Sequence, residues 1–495
     1  MYQSFIGLEV HIHLLTQTKV FCSCRSAFGD EPNTNVCPVC LGYPGVLPSL
    51  NREALRMGAV VARSLGCAIP EKTWFERKQY FYPDMPKNYQ ISQFASPLGQ
   101  NGYLDIEGKG SRKRVRIREC HLEEDAGKMI HAGTVSLLDY NRAGMPLLEI
   151  VTEPDLETGE EAELFIRHLR RIVRYLGVCD GNMEEGSLRA DANVSINLRG
   201  RGLGSKVEIK NLNSSRFVRL GLDYEIRRQE TMLEEGRAVA QETRLWNENR
   251  DRTEPMRSKE DSKDYRYFPE PDLPVFVPDV EFLASVEAGR TELPLDRMKR
   301  LVRTCGVTVE QAELICDEKP LADYFEAAAA EARNLGHGDD APGRIAAWLL
   351  SDVKRVLNRD RISPETIFSL ALTPKRLAEL AGLVSAGTVS GKNAREVLEA
   401  VLAEDKDPEA IIRERGWERI TDPELIAGTV RSVCSREEKA LSDIAKAMLD
   451  GNEKRRAALE TYLVGKILAA TGGRADPGIT RTQLGVFLAA YSPDR

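Results

Sequence analysis

A chain of 495 residues has room for roughly three domains of about 150 residues each, and a composition of 42% hydrophobic and 29% charged residues suits a globular protein with a sizeable core. The net charge of −7 excludes a general nucleic-acid coat, which needs a basic surface to displace counterions; it leaves open specific RNA binding through local basic patches. No apolar run approaches the ~18 residues of a membrane span, and MYQSFIGLEV has neither the basic start nor the long apolar stretch of a leader, so a cytoplasmic protein with no membrane association is expected.

Ile6 to Leu14 alternates as a strand, with Leu8, Val10, Ile12 and Leu14 on one face and Glu9, His11 and His13 on the other. Carboxylate and imidazole two residues apart on a strand can share a cation, or can line a solvated face. Next come Cys22-Ser23-Cys24 and Cys37-Pro38-Val39-Cys40, a CxC and a CPxC separated by twelve residues. Four thiolates on two turn-like arms suit tetrahedral zinc with no open position, a structural site. A redox pair is the rival, but it calls for a CxxC beside a βαβ pattern. The other six cysteines are scattered and read as reduced, mostly buried thiols.

Arg112, Lys113, Arg114, Arg116 and Arg118 lead into His121 and the pair Glu123-Glu124. A helix is expected from a capping box at Thr158 and Glu161 to a stop at Gly177. Phe165, Leu169, Ile172, Val173 and Leu176 form its apolar face. Its stripe of Arg167, Arg170, Arg171 and Arg174 suits phosphates or a solvated face equally. Glu184-Glu185-Gly186 is a second acidic pair. The stretches 189–196 and 206–210 alternate as strands, each placing a carboxylate, Asp191 or Glu208, on a polar face. Adjacent acids repel, so burying them favours a cation or raised pKa values, and five polar clusters within 210 residues suggest one shared cavity.

Texture changes near residue 290. Short strand-like runs punctuated by Gly, Pro and Asn give way to short helices, after an extended exit at Pro269–Pro274. Four helix starts place Pro after a capping residue: Ser363-Pro364, Thr373-Pro374, Asp407-Pro408 and Asp422-Pro423. The expected architecture is α+β. A catalytic domain over 1–293, built on antiparallel sheet with a small zinc element at 22–40, precedes a helical domain over 294–405 and a small helical tail over 406–495.

Several stretches together carry a family resemblance: GLEVHIHLLTQTKVFCSC (7–24), CPVCLGYPGVLP (37–48), KQYFYPDMPKNYQISQF (78–94), HLEEDAGK (121–128), DYNRAGMPLLEIVTEPD (139–155), MEEGSLRADANVSI (183–196), EIKNLNS (208–214) and DYRYFPEPDLP (264–274). In this order they cover the first region, and the chain resembles the B subunit of the aspartyl/glutamyl-tRNA amidotransferases. The helical half resembles the family chiefly in residues 362–398 and 465–477. The resemblance implies a ligase of protein biosynthesis. With ATP and Mg²⁺ it phosphorylates the side-chain carboxylate of Glu-tRNA(Gln) or Asp-tRNA(Asn), and ammonia converts the acyl phosphate to the amide.

Carried over by position, Glu9, His11, Glu124 and Glu208 would hold the metal, with Lys210 in the catalytic set. Lys78, Tyr80, Tyr82, Lys128, Arg189, Asp191 and Asn213 would line the pocket for ATP or the aminoacyl end. Cys22, Cys24, Cys37 and Cys40 would hold the zinc. The implied partners are an amidase (A) subunit supplying ammonia, a small C subunit and the mischarged tRNA, contacted by the tail. The chain has no GxxxxGK[ST] loop, no Ser-rich amidase signature and no Cys-His glutaminase constellation. Two rivals stand beside this reading. A zinc-containing RNA adaptor is opposed by the acids, which repel a phosphate backbone unless a cation intervenes. A ligase of a free carboxylate substrate is opposed by the long helical extension.

Overall fold

The computed structural model describes residues 2–108, 111–256 and 265–491. By internal contacts it divides into residues 1–296 and 297–495.

The first unit is an α+β domain. Its strands are β1 (Tyr2–His13), β2 (Glu76–Gln79), β3 (Tyr89–Ser92), β4 (Gly99–Gly108), β5 (Ser111–Glu124), β6 (Lys128–Ala132), β7 (Val135–Asp139), β8 (Pro146–Thr152), β9 (Leu188–Leu198), β10 (Val207–Lys210), β11 (Glu242–Asn247), β12 (Arg252–Pro255) and β13 (Phe268–Pro269). Eleven form one sheet, in the order β12-β11-β10-β9-β1-β8-β5-β3-β2-β13 with β4 also paired to β5; β6 and β7 make a separate ribbon. Every pairing is antiparallel except β10 with β11.

One face of this sheet is apolar. Ile6, Leu8, Val10 and Ile12 of β1 join Leu148 and Ile150 of β8, Cys120 and Leu122 of β5, Ala190, Ala192 and Val194 of β9, and Val207 and Ile209 of β10 in a single buried cluster. Helices α1 (Arg52–Ser64), α2 (Gly159–Tyr175) and α3 (Ser215–Glu234) contribute their apolar stripes to it, and α4 (Val280–Ala288) packs on α1. Strand alternation therefore turns the intervening side chains to the other face.

Local signals account for the helix ends. The Asn51 side chain accepts from Glu53 and Ala54 N–H and starts α1. Thr158 caps α2 by accepting from Glu161 N–H, but the Glu161 carboxylate bonds Glu157 N–H instead of closing the expected box. Gly177, at φ +66°, follows the end of α2. The arginine stripe of α2 is not an open phosphate face. Arg171 is buried, Arg170 donates to the Gly181 carbonyl, and Arg167 and Arg174 also have partners within the protein.

The second unit is helical, its helices running from Pro294–Cys305 through Pro477–Ala490. Its buried side chains form two clusters, one running from Leu301 to Ile412 and one from Ile426 to Leu488. Of the four Pro-led starts, Thr373 and Asp422 accept hydrogen bonds from the following turn. Asp407 instead pairs with Arg376, and Pro364 opens a 3₁₀ turn, Pro364–Ser369. No helix among the described residues is long and apolar enough to cross a membrane.

Candidate functional site: an acidic trough and a four-cysteine loop

Register aligns the polar face into rows. Arg189, His11, Glu149 and His121 stand side by side on β9, β1, β8 and β5. Beside them run Asp191, Glu9, Val151 and Glu119. On the other side, Leu147 separates His13 from Glu123, which pairs with Ser92 of β3 and through it with Glu76 of β2.

Three of these side chains converge. His11 Nε2 lies 3.7 Å from Glu123 Oε1 and 3.6 Å from Glu149 Oε2, and these ligand atoms fall within 4.8 Å of one another. His121 Nε2 is 2.7 Å from Glu149 Oε2, and Ser92 Oγ donates to Glu123 at 3.2 Å. An imidazole and two carboxylates fit a divalent cation, the carboxylates supplying the oxygens that magnesium takes. Burial pushes the Glu149 carboxyl up, but hydrogen bonds from His11 and His121 outweigh it and hold the group well below the usual range. Burial lowers His11 and His121, and Glu149 reverses that, so both imidazoles are raised.

A second cluster adjoins this one. Glu9 accepts from Asn193 Nδ2 at 2.8 Å; burial and the nearby Glu149 raise its carboxyl despite that bond. Lys210 Nζ bridges Asp191 at 2.8 Å and Glu208 at 3.0 Å, and Thr243 donates to Glu208 at 2.9 Å. Arg189 reaches Asp125 at 2.9 Å, which His13 also contacts at 2.6 Å. Of the expected residues, Glu9, His11, Asp191, Arg189, Glu208 and Lys210 thus share one trough.

Glu124 lies elsewhere. It follows Glu123 on β5 and points to the opposite face, where both its oxygens bond Lys87 and Oε1 accepts Ile91 N–H at 2.8 Å. Together with Arg77, Tyr89, Cys40 and Gly144 it lines a cavity of about 180 Å³. Glu208 is held by Lys210 and Thr243 and is not among the three converging ligands. Lys78, on β2, sits with its Nζ 4.9 Å from the Tyr265 ring centre; burial lowers its ammonium, but Glu123 and Glu149 among others outweigh that and leave it raised. Burial and the surrounding Asp84, Glu123, Glu124 and Asp125 push the Tyr80 phenol well up, and Tyr80 N–H donates to the Asn88 carbonyl just after β2. Tyr82 is exposed, Lys128 is exposed at the start of the β6–β7 ribbon, and Asn213 is exposed with its amide donating to Asn211.

Some sequence clusters stay outside. Glu184 and Glu185 form an exposed turn around Asn182. Arg112 and Arg114 pair with Asp105, Arg116 with Asp155 and Arg118 with Glu153 on the surface. Glu149 and Lys87 were not singled out by sequence reasoning. The signal for Glu149 is a lone acid inside the apolar run Pro146–Thr152.

In the loop after β1, Cys22, Cys24, Cys37 and Cys40 bring their sulfurs within 4.8 Å of one another. Cys37 N–H donates to Cys40 Sγ at 3.2 Å, and the buried Lys19 ammonium lies 3.6 Å from it. A hydrogen bond from Cys22 is the main cause that lowers the Cys40 thiol to about 4. Burial raises Cys24 to about 11. Four clustered sulfurs, one readily a thiolate, fit the donor set of a zinc site.

These features define a class: an α+β domain with an acid-and-imidazole trough on one sheet face and a four-cysteine loop, followed by a helical unit. Residues 4–284 match the family described as the GatB/GatE catalytic domain, and residues 323–485 match the GatB domain. The chain is 45% identical over 482 residues to the B subunit of the aspartyl/glutamyl-tRNA(Asn/Gln) amidotransferase of Carboxydothermus hydrogenoformans, covering 96% of each chain. It is 44% identical over 478 residues to the B subunit of the Thermodesulfovibrio yellowstonii amidotransferase, with 96% of this chain and 97% of the relative covered. For the corresponding protein of Thermosynechococcus vestitus the identity is 43% over 497 residues, covering 98% and 96%. The chain belongs to the GatB family, the B subunits of the aspartyl/glutamyl-tRNA(Asn/Gln) amidotransferases.

Proposed function

We propose that the trough is where the side-chain carboxylate of a mischarged Glu-tRNA(Gln) or Asp-tRNA(Asn) is phosphorylated by ATP and then amidated by ammonia. The observation that carries this reading is the convergence of His11, Glu123 and Glu149 beside Glu9 and Asp191 on the face that the core leaves free. His11, Glu123 and Glu149 would hold Mg²⁺, with Glu9 next to them. When bound, that ion neutralises phosphate oxygens of the nucleotide. Lys210 offsets part of the charge of Asp191 and Glu208, which lessens the repulsion of a negatively charged substrate at that end. Lys78 stands on β2, toward the opposite end of the strand order from β10. The sheet fixes all these groups on rigid strands, which spares the site reorganisation as charge moves.

Zinc would be held by Cys22, Cys24, Cys37 and Cys40 and would tie the two arms of that loop together. The helical domain over 294–405 and the tail over 406–495 would present the tRNA; two separate apolar clusters there support a division into two bodies, although the first cluster runs through Ile412 and the second begins at Ile426. Family membership supports a cytoplasmic multi-subunit enzyme, in which an amidase partner delivers ammonia and a small third protein joins the pair.

The test is amide formation on mischarged tRNA by the purified complex, with ATP, Mg²⁺ and ammonium chloride in place of glutamine. Ammonium bypasses the amidase. Wild type is expected to form Gln-tRNA or Asn-tRNA, and Glu149→Gln to lose at least about 10²-fold in rate, in the range removed with a preorganised electrostatic group. Equal rates would overturn the assignment of the trough.

A further inference from the structure

One aromatic feature at the rim of the trough has no role in the fold's core. Phe94 follows β3 and is 59% exposed, although the chain around it from Ile91 to Ser96 includes the buried Ile91, Ser92, Gln93 and Ser96. Its ring stacks on Tyr267, with centroids 4.1 Å apart and planes 8° from parallel. Tyr265 meets Tyr267 edge-on at 6.2 Å, and Lys78 Nζ lies over Tyr265.

The shelf is held in place from beneath. Buried Glu76, on the polar face of β2, accepts Phe94 N–H at 2.7 Å, Ala95 N–H at 3.2 Å and Trp74 Nε1 at 2.9 Å. The opposing segment is pinned where Gln79 N–H donates to the Tyr265 carbonyl at 2.9 Å and where Phe268 pairs with Arg77. An exposed phenylalanine is thus fixed by a buried carboxylate, an expense that core packing does not require.

Position gives the shelf its meaning. Glu76 and Ser92 stand on the same register row as Glu123, and both Lys78 and Tyr267 lie in the field of Glu123 and Glu149. One ring of Phe94 is too small a patch for a protein interface, which needs roughly 800 Å² per partner. It is the size of a nucleobase, and unpaired bases are held by stacking on aromatic rings with a cation near their phosphates.

Building on the function proposed above, we propose that the Phe94–Tyr267 stack receives an unpaired purine base of a substrate, with Lys78 toward its phosphate. Two sources share that chemistry: the terminal base of the aminoacyl-tRNA and the adenine of ATP.

The test uses the assembled complex, with Phe94→Ala and Phe94→Trp. KM is measured separately for mischarged tRNA and for ATP, with ammonium as nitrogen donor. Binding is measured without turnover: fluorescence of a tRNA carrying 2-aminopurine at its 3′ terminus, and calorimetry with a non-hydrolysable ATP analogue. Phe94→Ala is expected to raise one KM about tenfold or more and to weaken the matching binding signal, with Phe94→Trp restoring both. Loss of 2-aminopurine quenching together with the tRNA KM assigns the shelf to the tRNA end; loss of analogue affinity together with the ATP KM assigns it to ATP. Unchanged KM and binding for both ligands would overturn the proposal, as would loosening of the complex with both affinities intact. Wild type that binds both ligands but forms no amide would count against the proposed reaction alone, because the binding arms still read the base.

Discussion

Glu123 and Glu124 are neighbours in sequence and opposites in space. Glu123 lies 3.7 Å from His11 in the trough, whereas Glu124 is buried on the other face against Lys87. Substituting each should therefore break different things. Glu123→Gln is expected to raise the Mg²⁺ concentration needed for amide formation while leaving the urea midpoint within experimental scatter. Glu124→Gln leaves Lys87 buried without its carboxylate and should cost about 3–5 kcal/mol of stability. Denaturant curves and magnesium titrations on both variants check this; reversed behaviour would refute the division.

The four-cysteine loop should bind one metal per chain. Elemental analysis is expected to find close to one equivalent of zinc, removed by a strong chelator or by Cys40→Ser, with the melting temperature falling in both cases. Zinc-free protein with an unchanged melting curve would leave the loop without a metal role.

A pH effect follows from Asp105. Hydrogen bonding from Arg114, opposed by partial burial and joined by Arg112, brings its carboxyl down to about 2. A depressed folded-state pKa stabilises the protein above the unfolded value of about 3.9, and that share is lost as pH falls toward 2. Because both arginines are mostly exposed, the effect is expected to stay under about 1 kcal/mol. Asp105→Asn should lower the urea midpoint slightly at pH 7 and converge with wild type near pH 2, on the same titration of midpoint against pH.

Glu225 of α3 is fully buried and serves four neighbours. It accepts from Arg228 at 2.6 Å, Gln229 at 2.9 Å and Thr253 at 2.9 Å, with Arg244 at 3.4 Å. Glu225→Ala strands these donors and is expected to destabilise the domain by about 3–5 kcal/mol. Thermal unfolding would show it, and a loss below about 1 kcal/mol would mean that water replaces the carboxylate.

The sequence revealed most where one physical rule acted alone. Alternation along β1 separates Leu8, Val10 and Ile12 from Glu9, His11 and His13, because that strand buries a single face. The cysteine spacing points to one cluster for the same reason: thiolate chemistry leaves few other uses. Glu149 was hidden because its strand lies in mid-sheet among apolar residues and shows no alternation. The choice between Glu123 and Glu124 depends on the register of β5 with β8, which the run Glu123-Glu124-Asp125 does not encode. The Asp407 cap was overridden by a tertiary partner, Arg376, beyond the reach of local propensity.

The division of the sheet into an apolar and a polar face carries a rule about length. Along β1, the even-numbered Ile6, Leu8, Val10 and Ile12 belong to the core and the odd-numbered Glu9, His11 and His13 to the trough. Deleting or inserting one residue there would exchange the two sets in a single event, burying acids and exposing aliphatics together. Related chains can drift in the identity of side chains on these strands but not in their residue count, so gaps between relatives should gather in exposed turns such as Gly200–Gly204 and leave β1, β8 and β9 uninterrupted.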